Sequence, residues 1–228
     1  MTIIQPSATP ARAFGSGGSE PYATALHADD PERLHLRDLD SSRTSSFDIA
    51  DWCAPANPAD LTMLVGVSGP VLDIGCGPGR MVRAALDLGL PALGVDVSAA
   101  AVRLARSTGL PVLERSIFDP LPHSDWSTIL LADGNIGIGG DPVALLTRCR
   151  ELMSDDGSVV VEVATDPSTD RRYRAQLSDD AGRHSAEFPW AELGAESLER
   201  AAEVAGLATG QSWSTAGRRF SRLMVTSR

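Results

Sequence analysis

The chain has 228 residues, 43% hydrophobic and 22% charged, with a formal net charge of −10 at pH 7. All 20 basic residues are arginine: the absence of lysine excludes Schiff-base chemistry and a lysine-anchored pyridoxal cofactor, and an acidic chain without a basic stripe is a poor partner for nucleic-acid phosphates. No run approaches the roughly 18 apolar residues of a membrane helix, and Cys53, Cys76 and Cys149 form no CxxC pair, so neither a metal site nor a disulfide frame is expected.

In chain order, residues 1–20 (MTIIQPSATPARAFGSGGSE) are rich in Pro, Gly, Ser and Ala and lack the charged start and apolar centre of a signal peptide. They are expected to be a flexible leader on a cytoplasmic protein, with residues 21–228 forming one domain. Residues 21–68 scatter apolar positions, among them Leu34, Leu36, Phe47, Ile49, Trp52 and Met63, between polar ones. They are read as a helical N-terminal cap packed ahead of a sheet, and residues 69–228 as the core.

From residue 71 onward, strand-length apolar runs alternate with helical periods. VLDI (71–74) reads as a buried strand, and RMVRAALDLG as a helix stopped by Gly89. ALGVDV (92–97) is the next strand, with Ser98 as N-cap of an alanine-rich helix that ends on Gly109. PVLERS and WSTILLAD (126–133) supply two more strands. Asp141 with Pro142 starts another helix, and Asp155-Asp156-Gly157 is expected to turn the chain into the β-branched strand SVVVEVA. The helical ESLERAAEVAGL precedes two runs joined by Thr215-Ala216-Gly217, which reads as a closing hairpin. This alternation predicts an α/β fold with a doubly wound, seven-stranded, mostly parallel sheet whose last strand is antiparallel.

The loop after the first core strand reads Asp73-Ile74-Gly75-Cys76-Gly77-Pro78-Gly79. Glycines let a ligand approach the backbone, and the helix that follows offers unpaired N–H groups. Asp96 ends the next strand, 21 residues after Gly75, where a carboxylate can accept ribose hydroxyls. A dinucleotide fingerprint needs glycine at position 80, where Arg80 stands; bulk there crowds the path of a pyrophosphate. A ligand without phosphates but with a cationic amino-acid end suits this loop better, and an NAD-dependent oxidoreductase is the weaker alternative.

VLDIGCGPG, GVDVS and RSIFDPLP together resemble the first three motifs of the class I S-adenosylmethionine-dependent methyltransferases, and the resemblance extends over 69–228 with its closing hairpin. It implies S-adenosylmethionine as cofactor along Gly75, Cys76, Gly77 and Gly79, with Asp73 near the amino-acid end. Asp96 would bind the ribose, Ser116, Ile117 and Phe118 would lie around the adenine, and Val97 and Ala132 would complete the cofactor site. Many members of the family carry Asp where Ser116 stands, so the adenine would lean on backbone near Ile117 and Phe118, or on Asp119. Cys76 is read as a filler beside the ligand.

In such a fold the residue after the fourth strand faces the reactive methyl group. That segment, LADGNIGIGGDP, makes Asp133 the first candidate for base or substrate orienter; a turn role capping the glycines is the alternative. His184 is the second candidate base, its near-neutral titration suiting proton transfer. The run RRYR (171–174) reads as a solvated face that would favour an anionic substrate if it lined the pocket, and FPW (188–190) as a packing staple. With no separate binding module, the expected acceptor is a small molecule, methylated at O, N or C. A lysine-free composition rich in Ala, Arg and Gly suggests a high-GC bacterium and tailoring of secondary metabolites. A protein that binds the cofactor without transferring its methyl group, a regulator or cyclase, is the rival.

Overall fold

A computed structural model describes residues 13–15, 21–28, 33–122 and 125–226; most of the expected 1–20 leader lies outside them. The first elements are α1 (Pro21–Ala25), β1 (Arg33–Asp38), β2 (Thr44–Asp48), α2 (Ile49–Cys53) and α3 (Pro58–Leu61), then a 3-10 turn at Thr62–Leu64. The core follows with β3 (Val71–Ile74), α4 (Arg80–Asp87), β4 (Ala92–Asp96), α5 (Ala99–Ser107), β5 (Val112–Glu114) and β6 (Trp126–Leu131). After a glycine-rich turn at Asn135–Gly140 come α6 (Pro142–Leu152), β7 (Met153–Val163), β8 (Asp170–Asp179) and β9 (Phe188–Leu193). The chain closes with α7 (Ala195–Val204), β10 (Leu207–Thr215) and β11 (Arg218–Val225).

The main sheet has seven strands in the order β10-β11-β7-β6-β3-β4-β5. Strands β3 to β7 within it run parallel, and the β10–β11 hairpin adds antiparallel to β7. The central strands carry Val, Leu and Ile on both faces because helices cover both: Val71, Leu72, Ile129, Leu130, Leu131, Val159, Val160 and Val161 are buried. Chain order reverses between β3 and β6, so a crevice opens beyond the carboxyl ends of β3, β4 and β6. The expected caps form: Ser98 Oγ accepts from the Ala101 N–H, and Asp141 Oδ1 from the Ala144 N–H at 3.1 Å with Pro142 at the first helical position. Asp141→Ala should therefore lower stability by about 1 kcal/mol; a urea midpoint unchanged from the native protein would contradict it.

Two expectations are corrected. The segment 21–68 does contain helices, but β1 and β2 lie between them and pair antiparallel with β8 and β9 in a second sheet of order β2-β1-β8-β9. Alternation along β1 buries Leu34, Leu36 and Asp38 on one face, while its two edges pair with β2 and with the distant β8. Asp155-Asp156-Gly157 lies within β7 as an outward bulge rather than as a turn before it. Pairing with β6 jumps from Trp126↔Met153 to Thr128↔Ser158, because Met153, itself buried, already engages the neighbouring strand.

Candidate active site

The loop after β3 needs its glycines for backbone reasons. Gly75, Gly77 and Gly79 have φ of 68°, 53° and 92°, conformations that side chains rarely adopt. At Gly75 a Cβ would also stand 2.7 Å from Asn135 Nδ2, which donates to the carbonyls of Ile74 (2.8 Å) and Gly75 (3.1 Å). Asn135 thus straps the turn after β6 onto the loop. From the next strand, Asp96 Oδ2 accepts the Gly77 N–H at 2.8 Å and Oδ1 the Ser98 N–H at 2.7 Å. Burial raises the Asp96 carboxyl above its ordinary range.

Asp73, two residues before Gly75, is 3% exposed. Among the described residues no N–H or O–H donates to its carboxylate. Burial pushes it up to about 7, against the opposing pull of Arg80 and with the added repulsion of Asp133 and Asp96. A buried carboxylate without a donor is costly unless a cation arrives.

These groups line one cavity of about 540 Å³, in the range of small-molecule sites. Of the residues expected from the sequence, Asp73, Gly75, Cys76, Gly77, Asp96, Val97, Ser116, Ile117, Phe118 and Ala132 all line it. Gly79 does not: it faces Leu110, which a Cβ there would strike at 2.5 Å, so it serves helix packing. The Cys76 thiol is buried against Gly94, and desolvation with the nearby Asp96 and Asp73 pushes its pKa well up, which suits a filler and not a nucleophile.

Asp133 lines the cavity at φ 51°. Its Oδ2 accepts from Arg80 and its Oδ1 from Arg218 at 3.4 Å, while its N–H donates to Glu162 at 2.7 Å. Burial raises its pKa despite the two guanidinium groups, yet both oxygens are engaged by arginine, so the geometry favours an orienting role over proton abstraction. His184 is corrected: it lies exposed between β8 and β9, bridging Ser178, and is not among the residues lining the cavity. From the segment 21–68, Tyr22 and Trp52 also line the cavity. The RRYR arginines stand outside the lining, spent on carboxylates: Arg171 on Asp38 and Glu192, Arg172 on Asp170, Arg174 on Asp40 and Glu187.

Sequence reasoning missed Arg80, taken only as a missing glycine; it joins Asp60 and Asp133 with 7% of its side chain exposed. It also missed Phe14, Phe47 and Glu192 as lining residues and undervalued Trp190. The alternation Phe188, Trp190, Glu192 was the available signal. No group of three or more His, Cys, Asp or Glu suited to a metal occurs among the described residues, nor any helix long and apolar enough to cross a membrane.

A family model described as a methyltransferase domain matches residues 49–211. No curated protein matches the sequence. Among solved structures, a SAM-dependent methyltransferase from Bacteroides fragilis in complex with S-adenosyl-L-homocysteine has 17% identity and a TM-score of 0.77, covering 91% of this chain and 95% of that one. The CcbJ methyltransferase from Streptomyces caelestis has 18% identity and a TM-score of 0.57, over 77% and 92% of the chains. The Burkholderia thailandensis 1,6-didemethyltoxoflavin-N1-methyltransferase, with its substrate and S-adenosylhomocysteine bound, has 18% identity and a TM-score of 0.57, over 78% and 81%.

Proposed function

Because the chain belongs to the methyltransferase-domain family, we propose that it transfers the methyl group of S-adenosylmethionine to a small-molecule acceptor. The observation that carries this reading is Asp73: a buried carboxylate without a protein donor, beside glycines that open the backbone, at the crevice of the sheet. An ammonium group answers its charge, as the amino-acid end of this cofactor would. Asp96, held by the backbone N–H groups of Gly77 and Ser98 with a further pull from that of Val97, keeps lone-pair capacity for a ribose hydroxyl. Val97, Ser116, Ile117, Phe118 and Ala132 supply a mainly apolar adenine wall.

When bound, the cofactor supplies an activated methyl carbon and a thioether leaving group. The chain's residues then have to align the acceptor in line with that carbon and exclude water. Asn135 fixes the two loops that flank the reacting centre, and Asp133, locked between Arg80 and Arg218, orients the acceptor from the β6 end. We assign no base to His184. The same cavity is also lined by Phe47, Trp52 and Trp190, which lie outside the glycine loop and the turns after β4, β5 and β6. An acceptor space of this kind favours transfer over a regulator or cyclase that binds the cofactor alone. The biological setting we propose is the tailoring of a secondary metabolite; a small-molecule acceptor is in keeping with the Burkholderia thailandensis relative, which holds 1,6-didemethyltoxoflavin.

The test is calorimetric titration with S-adenosylmethionine, S-adenosylhomocysteine and NADH, on the native protein and on Asp96→Ala. Micromolar binding of the first two, weakened about ten-fold or more by the substitution, is expected. Binding of NADH alone, or no binding, removes the reading.

A further inference from the structure

Resting on the methyltransferase reading, we propose that the acceptor is a planar aromatic molecule carrying a basic nitrogen, with Glu192 as its polar anchor and the aromatic lobe as its ring slot. The inference starts from the inner face of the second sheet. Along β9, Phe188, Trp190 and Glu192 alternate onto one face, and across the register they stand opposite Ala175, Tyr173 and Arg171 of β8. Trp190 and Glu192 of this face line the cavity, a roof contributed by an element separate from the glycine loop, and their side chains are open to an acceptor.

The apolar part of that roof is a ring cluster. Phe14 packs edge-on to Tyr22 at 5.3 Å and to Trp52 at 6.0 Å, and tilted against Trp190 at 5.7 Å; Phe47 lies 5.5 Å from Trp52. All five line the cavity. These rings pack directly on one another, so a flat guest or an organic cation can meet only the ring surfaces they turn to the cavity, by stacking or through the quadrupole; an aliphatic chain uses neither.

The polar part of the roof selects the guest's charge. Glu192 lines the cavity, its Oε1 accepting from the Tyr173 hydroxyl at 2.5 Å and its Oε2 from Arg171 at 2.8 Å. The same Arg171 serves Asp38 at 2.5 Å, so two carboxylates share one guanidinium and the group keeps a net negative charge. The carboxylate is held by donors on its far side, and its remaining lone pairs can take an N–H from the cavity. Of the lining guanidinium groups, Arg80 is committed to Asp60 and Asp133, while Arg115, exposed on the loop next to Ser116, spends one N–H on the Pro120 carbonyl at 2.6 Å. Beside Glu192 a carboxylate or phosphate on the acceptor would meet a negatively charged group, whereas an amine or protonated heterocycle finds a partner.

The experiment is calorimetry on the full chain saturated with S-adenosylhomocysteine, using paired probes that share a ring and differ in charge. The pairs are tryptamine with indole-3-acetate and 2-naphthylmethylamine with 2-naphthylacetate; hexylamine supplies charge without a ring. Both aromatic amines are expected to bind at least about ten-fold tighter than their carboxylate partners and than hexylamine. Glu192→Gln, which keeps the shape, should reduce the amine-to-carboxylate ratio to within about three-fold of one. As a second variant, Trp52→Leu at the half-buried rim should weaken the two amines by more than it weakens S-adenosylhomocysteine. Carboxylates that bind as well as the amines, hexylamine that matches them, absence of binding by every probe, or an unchanged ratio in Glu192→Gln would each overturn the acceptor assignment while leaving the cofactor reading intact. Failure of S-adenosylhomocysteine to bind the native protein would instead remove the methyltransferase reading and this inference with it.

Discussion

Arg80→Met is expected to destabilise the protein by about 3–5 kcal/mol, which lowers the melting temperature of a chain this size by roughly 6–20 °C. The guanidinium opens α4 and reaches Asp60 of α3, whose side chain is wholly buried, and Asp133 after β6. Arg218 of β11 closes the cluster, reaching Asp60 and Glu162 at 2.6 Å each and Asp133 at 3.4 Å. Methionine fills similar space but leaves Asp60 to Arg218 alone and Asp133 more weakly held, and it removes the nearest positive charge from Asp73. Burial by itself would raise Asp60; the donors Arg80, Arg218 and the Asn57 N–H outweigh it and hold the carboxyl below its usual value. A depressed folded pKa means that the stabilisation is present above the unfolded value of about 3.9 and is lost as pH falls through the lower folded value. The native protein should therefore lose this contribution only in acid below about pH 4, whereas Arg80→Met is weakened at neutral pH as well. Thermal melts at pH 8 that agree within 2 °C would show that the cluster is not holding α3, α4 and β11 together.

Asp73→Asn should weaken S-adenosylhomocysteine about 100-fold at pH 8, the scale expected for losing a buried charged partner. The native protein should also bind about ten-fold more weakly at pH 6 than at pH 8. Its carboxyl, raised to about 7 by burial, must give up a proton before it can pair with an ammonium, at a cost of a factor of about ten per pH unit below that value. Asp73→Asn should lack this slope. For folding the sign is the reverse of Asp60. A folded pKa above the unfolded one contributes stability that is full below about pH 4 and lost as pH rises through about 7. Without ligand, the asparagine variant should accordingly melt higher than the native protein at pH 8 and not at pH 4. Calorimetry in two buffers of different ionisation heat checks the first part through the proton released on binding at pH 6. Affinity that is flat from pH 6 to 8 would refute the assignment of Asp73 to the cationic end of the ligand.

The parts of the molecule legible in the sequence are those set by neighbours along the chain. Apolar runs of period two and 3.6, Ser98 and Asp141 as caps, Gly89 and Gly109 as stops (φ 78° and 82°) and the turn at Ala216-Gly217 (φ 50° and 77°) are local chemistry, and they yield the seven-stranded sheet and its hairpin. The glycine loop with Asp73 and Asp96 was legible for the same reason: a strand, a tight turn and a helix start determine where those groups lie. Asp133 is legible in place but not in partners, since Arg218 belongs to the last strand and Arg80 opens a different helix. The second sheet was not legible. TSSFD, which forms β2, is mostly polar and exposed, and becomes a strand through pairing with β1, which in turn pairs with the distant β8. His184 misled because a residue's chemistry says nothing about which way a hairpin end points. Sequence neighbours alone account for the glycine-loop part of the cavity, with Asp73, Gly75, Gly77 and Asp96, because its segments take their geometry from adjacent residues. The ring-lined part with its Glu192–Arg171–Asp38 group came from the three-dimensional packing, because these residues belong to elements far apart in the chain that sheet pairing and burial bring together.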